Sequence, residues 1–239
     1  MLLLNMTHEE VRKEILKDLP NVQRWEEHQW KDYRRKSLKM RDFPKYLFTE
    51  YVSPRKNTWL ISTKFFGKDD FSSTFGVLQI QNGLVLHQAF VNSIEDKFST
   101  LCTFIPHFFE RYAQYNKLDL KGKELIKKML RDDCSFNIDK TNWLSGRKDR
   151  DKENNVHACM THGVGMGYEV GPRHFLIKTY ITYDMSYGKQ KEVFESKRED
   201  AKSIVNDKPL PYRPPLLSKP NLVIDEAIIK KLKRKLKLS

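Results

Sequence analysis

Cysteine is scarce in this chain: Cys102, Cys134 and Cys159 are the only three among 239 residues. Their odd number and unpaired spacing argue against a secreted disulfide scaffold and for reduced thiols. Long apolar runs are absent too. The N-terminal Met1-Leu2-Leu3-Leu4 is too short for a signal sequence and leads into charged residues, and no stretch approaches membrane-spanning length. The expectation is a cytoplasmic protein with no membrane span. There is no internal repeat, no Walker loop, no dinucleotide-binding glycine fingerprint after a strand and no G-x-S-x-G elbow. No cofactor is expected.

Acidic residues are the minority charge. Forty-four Lys and Arg against 31 Asp and Glu leave a net charge of +13, which favours an acidic partner, with RNA or another nucleic acid the first candidate. A hydrophobic content of 39% supports one real but modest core.

Residues 1–42 read as an N-terminal helical segment. Thr7-His8-Glu9-Glu10 matches a capping box, and Val11, Ile15, Leu16 and Leu19 follow at helical spacing to Pro20, where a first helix should stop. A second stretch, Val22 to Met40, interleaves Trp25, Trp30 and Tyr33 with basic residues including Arg34, Arg35 and Lys36. That mixture suits phosphate contact and base stacking. The alternative is an ordinary amphipathic helix whose rings face the core.

Residues 43–203 read as an α+β core domain, an antiparallel β-sheet with an inserted helical pair. Strands are expected at 46–52, 58–66, 75–81 and 84–90, the last two joined by an Asn82-Gly83 hairpin turn. A helix should open at Pro106, and another should run over about 121–132 with Leu125, Ile126, Met129 and Leu130 on one side. Residues 145–155 are a charged loop. Strands resume at 156–160, 164–170 and 174–183, before a helix over 186–202. Residues 204–239 form a Pro-rich linker and a basic tail carrying Lys230, Lys231, Lys233 and Arg234.

Two constellations carry chemistry. In FIPHFFERYAQY, Pro106 at the first helical position places His107 in the first turn, one turn from Arg111 on the same face. A neutral imidazole at a helix N-terminus can accept a proton, and the guanidinium can hold a phosphate. Attack of a ribose 2′-hydroxyl on its own phosphodiester needs such groups. Alternatively, His107 caps the helix and Arg111 pairs with a nearby acid. Gly163, Gly165 and Gly167 at alternate positions would bare a strip of strand. Strict alternation in the next strand would put Lys178 and Thr182 on one face and Thr179 on the other. The competing constellation is His157-x-Cys159-x-x-His162, with His174 and Cys134 as further zinc-ligand types. Its two-sided spacing weakens it, and no metal site is expected.

A helix opening His-x-x-x-Arg, a second helix, and an antiparallel sheet ending in a strand such as FLIKTYIT resembles the small RNase toxins of the barnase, EndoU, colicin and RelE-like group, in particular BrnT-type and phage-associated members. The resemblance covers roughly residues 58–195. It implies metal-independent RNA cleavage with His107 as proton carrier, Arg111 as phosphate clamp and Lys178, Thr179 or Thr182 as supporting groups. It also implies a neutralising protein partner. The chain departs from that pattern in its length, N-terminal helices and tail. The expected function is a metal-independent endoribonuclease of toxin or mobile-element type. The alternative is a non-catalytic nucleic-acid-binding or accessory protein of a mobile element.

Overall fold

The computed structural model describes residues 1–3, 5–80, 83–92, 97–133, 137–140 and 155–206. The linker and tail, with Lys230, Lys231, Lys233 and Arg234, lie outside them, as do Cys134, Asn82 and most of the charged loop.

Helix α1 (His8–Ser37) begins at the expected capping box, with the Thr7 side chain accepting from the Glu10 backbone and Glu10 returning the bond. It does not stop at Pro20 but continues to Ser37, 30 residues in all. An interior proline costs about 3 kcal/mol. Val11, Ile15, Leu19 and Val22 lie on both sides of Pro20 and bury against Trp59, Ile61, Phe75 and Val77. At roughly 1.5–3 kcal/mol for each buried side chain, this packing outweighs the proline, whose own side faces solvent.

Nine strands follow: β1 (Lys45–Val52), β2 (Thr58–Phe65), β3 (Phe71–Ile80), β4 (Leu84–Asn92), β5 (Lys97–Phe104), β6 (Asn137–Lys140), β7 (Asn155–Cys159), β8 (Gly163–Gly171) and β9 (His174–Thr182). They form one sheet in the order β1-β2-β3-β4-β5-β9-β8-β7-β6. Between β5 and β6 come α2 (Pro106–Tyr115) and α3 (Gly122–Asp132), and α4 (Lys189–Asn206) follows β9. The α+β class and the inserted helical pair therefore stand. The sheet is not wholly antiparallel, because β5 pairs with β9 in parallel, Leu101 opposite His174 through Phe104 opposite Ile177. This parallel seam joins two antiparallel meanders, β1–β5 and β6–β9. The β3–β4 hairpin is present, with Gly83 at φ +130° against the Pro106 ring.

The faces sort by alternation. Trp59, Ile61 and Leu101 pack under α1, whereas Leu60, Cys102 and Phe104 pack under α2 and α3. Helix α4 covers Cys159 and Val164, with Phe194 fully buried. The sheet is rolled about α2 and α3: Phe48 of β1 and Ile138 of β6, from opposite margins, meet the same core cluster. Lys123 of α3 also pairs with Glu50 of β1 at 2.6 Å.

Candidate functional site

Proline at the first position starts α2 as expected, and Phe108 and Tyr112 bury against the sheet. His107 and Arg111 do share a face, and it is the outer one. The His107 ring Nδ1 lies 3.4 Å from exposed Glu110. Arg111 donates to Gln114 Oε1 at 2.9 Å and to the Tyr115 hydroxyl at 3.2 Å, both within the same helix.

The expected alternation along β9 breaks at Lys178. Met166 pairs with Thr179 and Gly167 with Ile177, so Lys178 is an extra residue in a β-bulge. Phe175, Ile177 and Tyr180 therefore all join the core beneath α2. Thr179, opposite Met166, faces the side covered by α4, and the Lys178 ammonium sits 5.3 Å from the Tyr168 ring centroid. Lys178 and Thr179 thus lie across the sheet from His107 and Arg111, and Lys178 does not share a face with Thr182. Thr182 pairs with Gly163, on the α2 side. The bare glycine strip is filled rather than open. A Cβ at Gly165 would meet Ile177 Cγ2 at 2.8 Å and Phe108 Cε2 at 3.4 Å.

The zinc-type residues also part. His157 is buried with its ring 5.3 Å from Phe194, and Cys159 is buried under α4. Among the described residues no group of three or more His, Cys, Asp or Glu is placed to hold a metal ion. His162 instead occupies the tight β7–β8 turn, where Met160 N–H donates to the Gly163 carbonyl. Its backbone N–H donates to Asp133 Oδ1 at 3.0 Å, and its ring Nδ1 lies 3.2 Å from the same oxygen. Asp133, at the C-terminal cap of α3, is fully buried and also accepts the Tyr112 hydroxyl at 2.9 Å. The His162 side chain stays 51% exposed, so its other ring nitrogen can meet solvent. Hydrogen bonding to Asp133 raises the His162 pKa, against the effect of partial burial. Burial and the Asp133 charge push the Tyr112 phenol up, keeping it a donor. No local sequence signal ties Asp133 to His162, which meet only because the β7–β8 turn crosses the end of α3.

A second arrangement lies on the α2/α3 face of β1 and β2. Tyr46 and Phe48, alternate residues of β1, hold their rings within 11° of parallel at 6.4 Å. Lys64, opposite Tyr46 in the register, places its ammonium 5.8 Å from that ring and 4.7 Å from Phe66. The Arg131 guanidinium stands 5.8 Å from Phe48. Phe66, Lys64, Tyr46, Phe48 and Arg131 thus form a row of three rings and two cations, and all but exposed Arg131 are partly buried. Of the rings of α1, Tyr33 is buried, Trp25 stacks on Tyr51 at 4.7 Å, and Trp30 packs edge-on against Phe71. Arg34, Arg35 and Lys36 are exposed, with Arg34 2.7 Å from Asp69 and Arg35 3.5 Å from Asp32.

Helices α2 and α3 also enclose an apolar groove of about 450 Å³, lined by Phe109, Ala113, Leu118, Leu120 and Leu125 among others. No helix among the described residues is long and apolar enough to cross a membrane. Comparison with protein-family models, curated proteins and solved structures finds no match for this chain.

Proposed function

We propose that this protein binds single-stranded RNA in a cytoplasmic setting, stacking bases on the Phe66–Tyr46–Phe48 rings and meeting phosphates with Lys64 and Arg131. The observation that carries the reading is the row of three rings on and beside β1 and β2, interspersed with Lys64 of β2 and Arg131 of α3. Stacking on an aromatic side chain contributes about 1–3 kcal/mol per base, and every base has a face to offer, so such a row tolerates many sequences. Lysine and arginine beside the rings add phosphate contacts that weaken with salt. The excess of basic over acidic residues supports the same reading. Cleavage by His107, Arg111, Lys178, Thr179 and Thr182 acting together is not carried forward, because two of the five lie across the sheet.

Fluorescence anisotropy with a labelled oligoribonucleotide tests the proposal. Tyr46→Ala with Lys64→Ala should weaken binding at least about tenfold, from the loss of one stacked base and one phosphate contact, with circular dichroism unchanged. Unchanged affinity in that folded double variant would defeat it.

A further inference from the structure

The C-terminal turn of α3 belongs to two arrangements at once. Arg131 ends the ring–cation row against Phe48, and two residues later Asp133 holds His162. Lys128, paired with Asp132 on the same turn, adds a cation whose charge is felt at the His162 ring. The row's last cation and the carboxylate that backs a half-exposed imidazole are therefore only two residues apart in the chain.

We infer that His162 is an acid–base group that cleaves bound RNA, with Asp133 as its positioning residue. This rests on the binding reading above. In the reaction, the free ring nitrogen of His162 takes the proton of a ribose 2′-hydroxyl. The 2′-oxygen forms a bond to the adjacent phosphorus while the bond from phosphorus to the 5′-oxygen breaks. Solvent water protonates the leaving oxygen, and His162 returns its proton to solvent. The products are a 2′,3′-cyclic phosphate and a 5′-hydroxyl, with no change of oxidation state. Asp133 accepts from both the ring and the backbone of His162, which orients the imidazole and stabilises its charged form. Tyr112, donating to the same carboxylate, keeps Asp133 in place.

His107 lacks these supports. Its partner Glu110 is itself exposed and lies one turn away on the same surface. The groups that bear on His162 are Asp133, Asp132 and Lys128 of α3, with Tyr112 of α2 bonded to Asp133. The balance favours the protonated ring, so the rate should rise with pH through a value above 6.5.

The test uses the full chain, a labelled oligoribonucleotide in EDTA, and a 2′-deoxy version of the same oligomer for binding. The expected result is cleavage of the ribo-oligomer to cyclic-phosphate ends and none of the deoxy oligomer. His162→Ala should keep the turn's backbone bond to Asp133, bind the deoxy oligomer normally and cleave roughly two to four orders of magnitude more slowly. Asp133→Asn should move the acidic limb of the pH–rate profile downward, a change that a merely structural role would not produce. Binding without cleavage, or normal cleavage by His162→Ala, would overturn this inference and leave the binding reading intact. Failure to bind either oligomer would overturn both.

Discussion

The Trp59 indole donates its N–H to Asp18 Oδ2 at 2.8 Å, tying the first half of α1 to the centre of β2. The same oxygen accepts Ser53 Oγ at 2.5 Å and Asn57 Nδ2 at 2.7 Å. Asp18 is fully buried. Burial works to raise its pKa, but the donors outweigh burial and lower it, so it remains a carboxylate. Asp18→Ala would strand three buried donors at once and should cost about 3–5 kcal/mol, the scale of breaking a buried charged network. Asp18→Asn should cost less, because its amide oxygen can still accept. Urea unfolding would check the order, and equal losses would show that packing rather than donor satisfaction dominates.

Stability should fall in acid through the histidines beneath α1. Burial first, with like charge from the neighbouring histidines, lowers His87 to about 3, and burial with the charges of His8 and Arg12 lowers His174 to about 4. Below pH 6.5 the unfolded chain takes up protons that the folded chain refuses, so stability drops by about 1.4 kcal/mol per pH unit for each. Glu26, held up to about 7 by burial, has the opposite sign. From pH 4.5 to 7 the folded chain keeps a proton the unfolded chain has lost, so its contribution is full below 4.5 and declines as pH rises. Two histidines against one glutamate leave a net acid loss between pH 4.5 and 6.5. Glu26→Gln should steepen that loss and stabilise the protein at pH 8. Urea midpoints across pH 4.5–8 would reveal it, and no gain at pH 8 would contradict the sign.

Two glycines should behave differently. A Cβ at Gly167 would fall on the Leu176 carbonyl oxygen, which is backbone of the paired strand and cannot swing aside. Gly122, at φ +56°, has nothing within 4 Å of its added Cβ, so only conformational strain opposes a side chain there. Gly122→Ala should cost about 1–2 kcal/mol, and Gly167→Ala should cost more or prevent folding. Thermal melts of the two variants would rank them, and a milder effect at Gly167 would mean that β8 and β9 can separate without penalty.

Truncation after Asn206 removes the basic tail with Lys230, Lys231, Lys233 and Arg234. It should lower RNA affinity and flatten its dependence on salt while leaving the ring–cation row in place. Anisotropy titrations at two or more salt concentrations would measure this. An unchanged salt slope would assign the tail to a protein partner.

Local signals were legible where neighbours in sequence are neighbours in space. The capping box at Thr7 and Glu10, the helix start at Pro106 and the β3–β4 hairpin needed only a few residues of context. Pro20 misled because the burial that carries α1 past it comes from β2 and β3. Alternation wrongly put Lys178 and Thr182 on one face because a single inserted residue reverses the pattern after it, and nothing in FLIKTYIT marks where it is inserted. Strands β5 and β6 gave too weak a pattern to be expected. Tyr46 and Lys64 become partners only through the β1–β2 register, and Asp133 and His162 only through the rolled sheet.

The seam between β5 and β9 gives the molecule an order of assembly. Each meander can form from hairpins between consecutive segments, whereas Thr103 must find His174 across 71 positions of chain. The loop-closure cost of that encounter falls before its contacts form, which slows such pairings. We expect β1–β5 to acquire protected amides earlier in refolding than the seam, followed by pulsed hydrogen exchange. Simultaneous protection would mean that α1 gathers both halves in one step. On this view the four residue pairs of the seam are the joint at which two independently formed sheets become one surface.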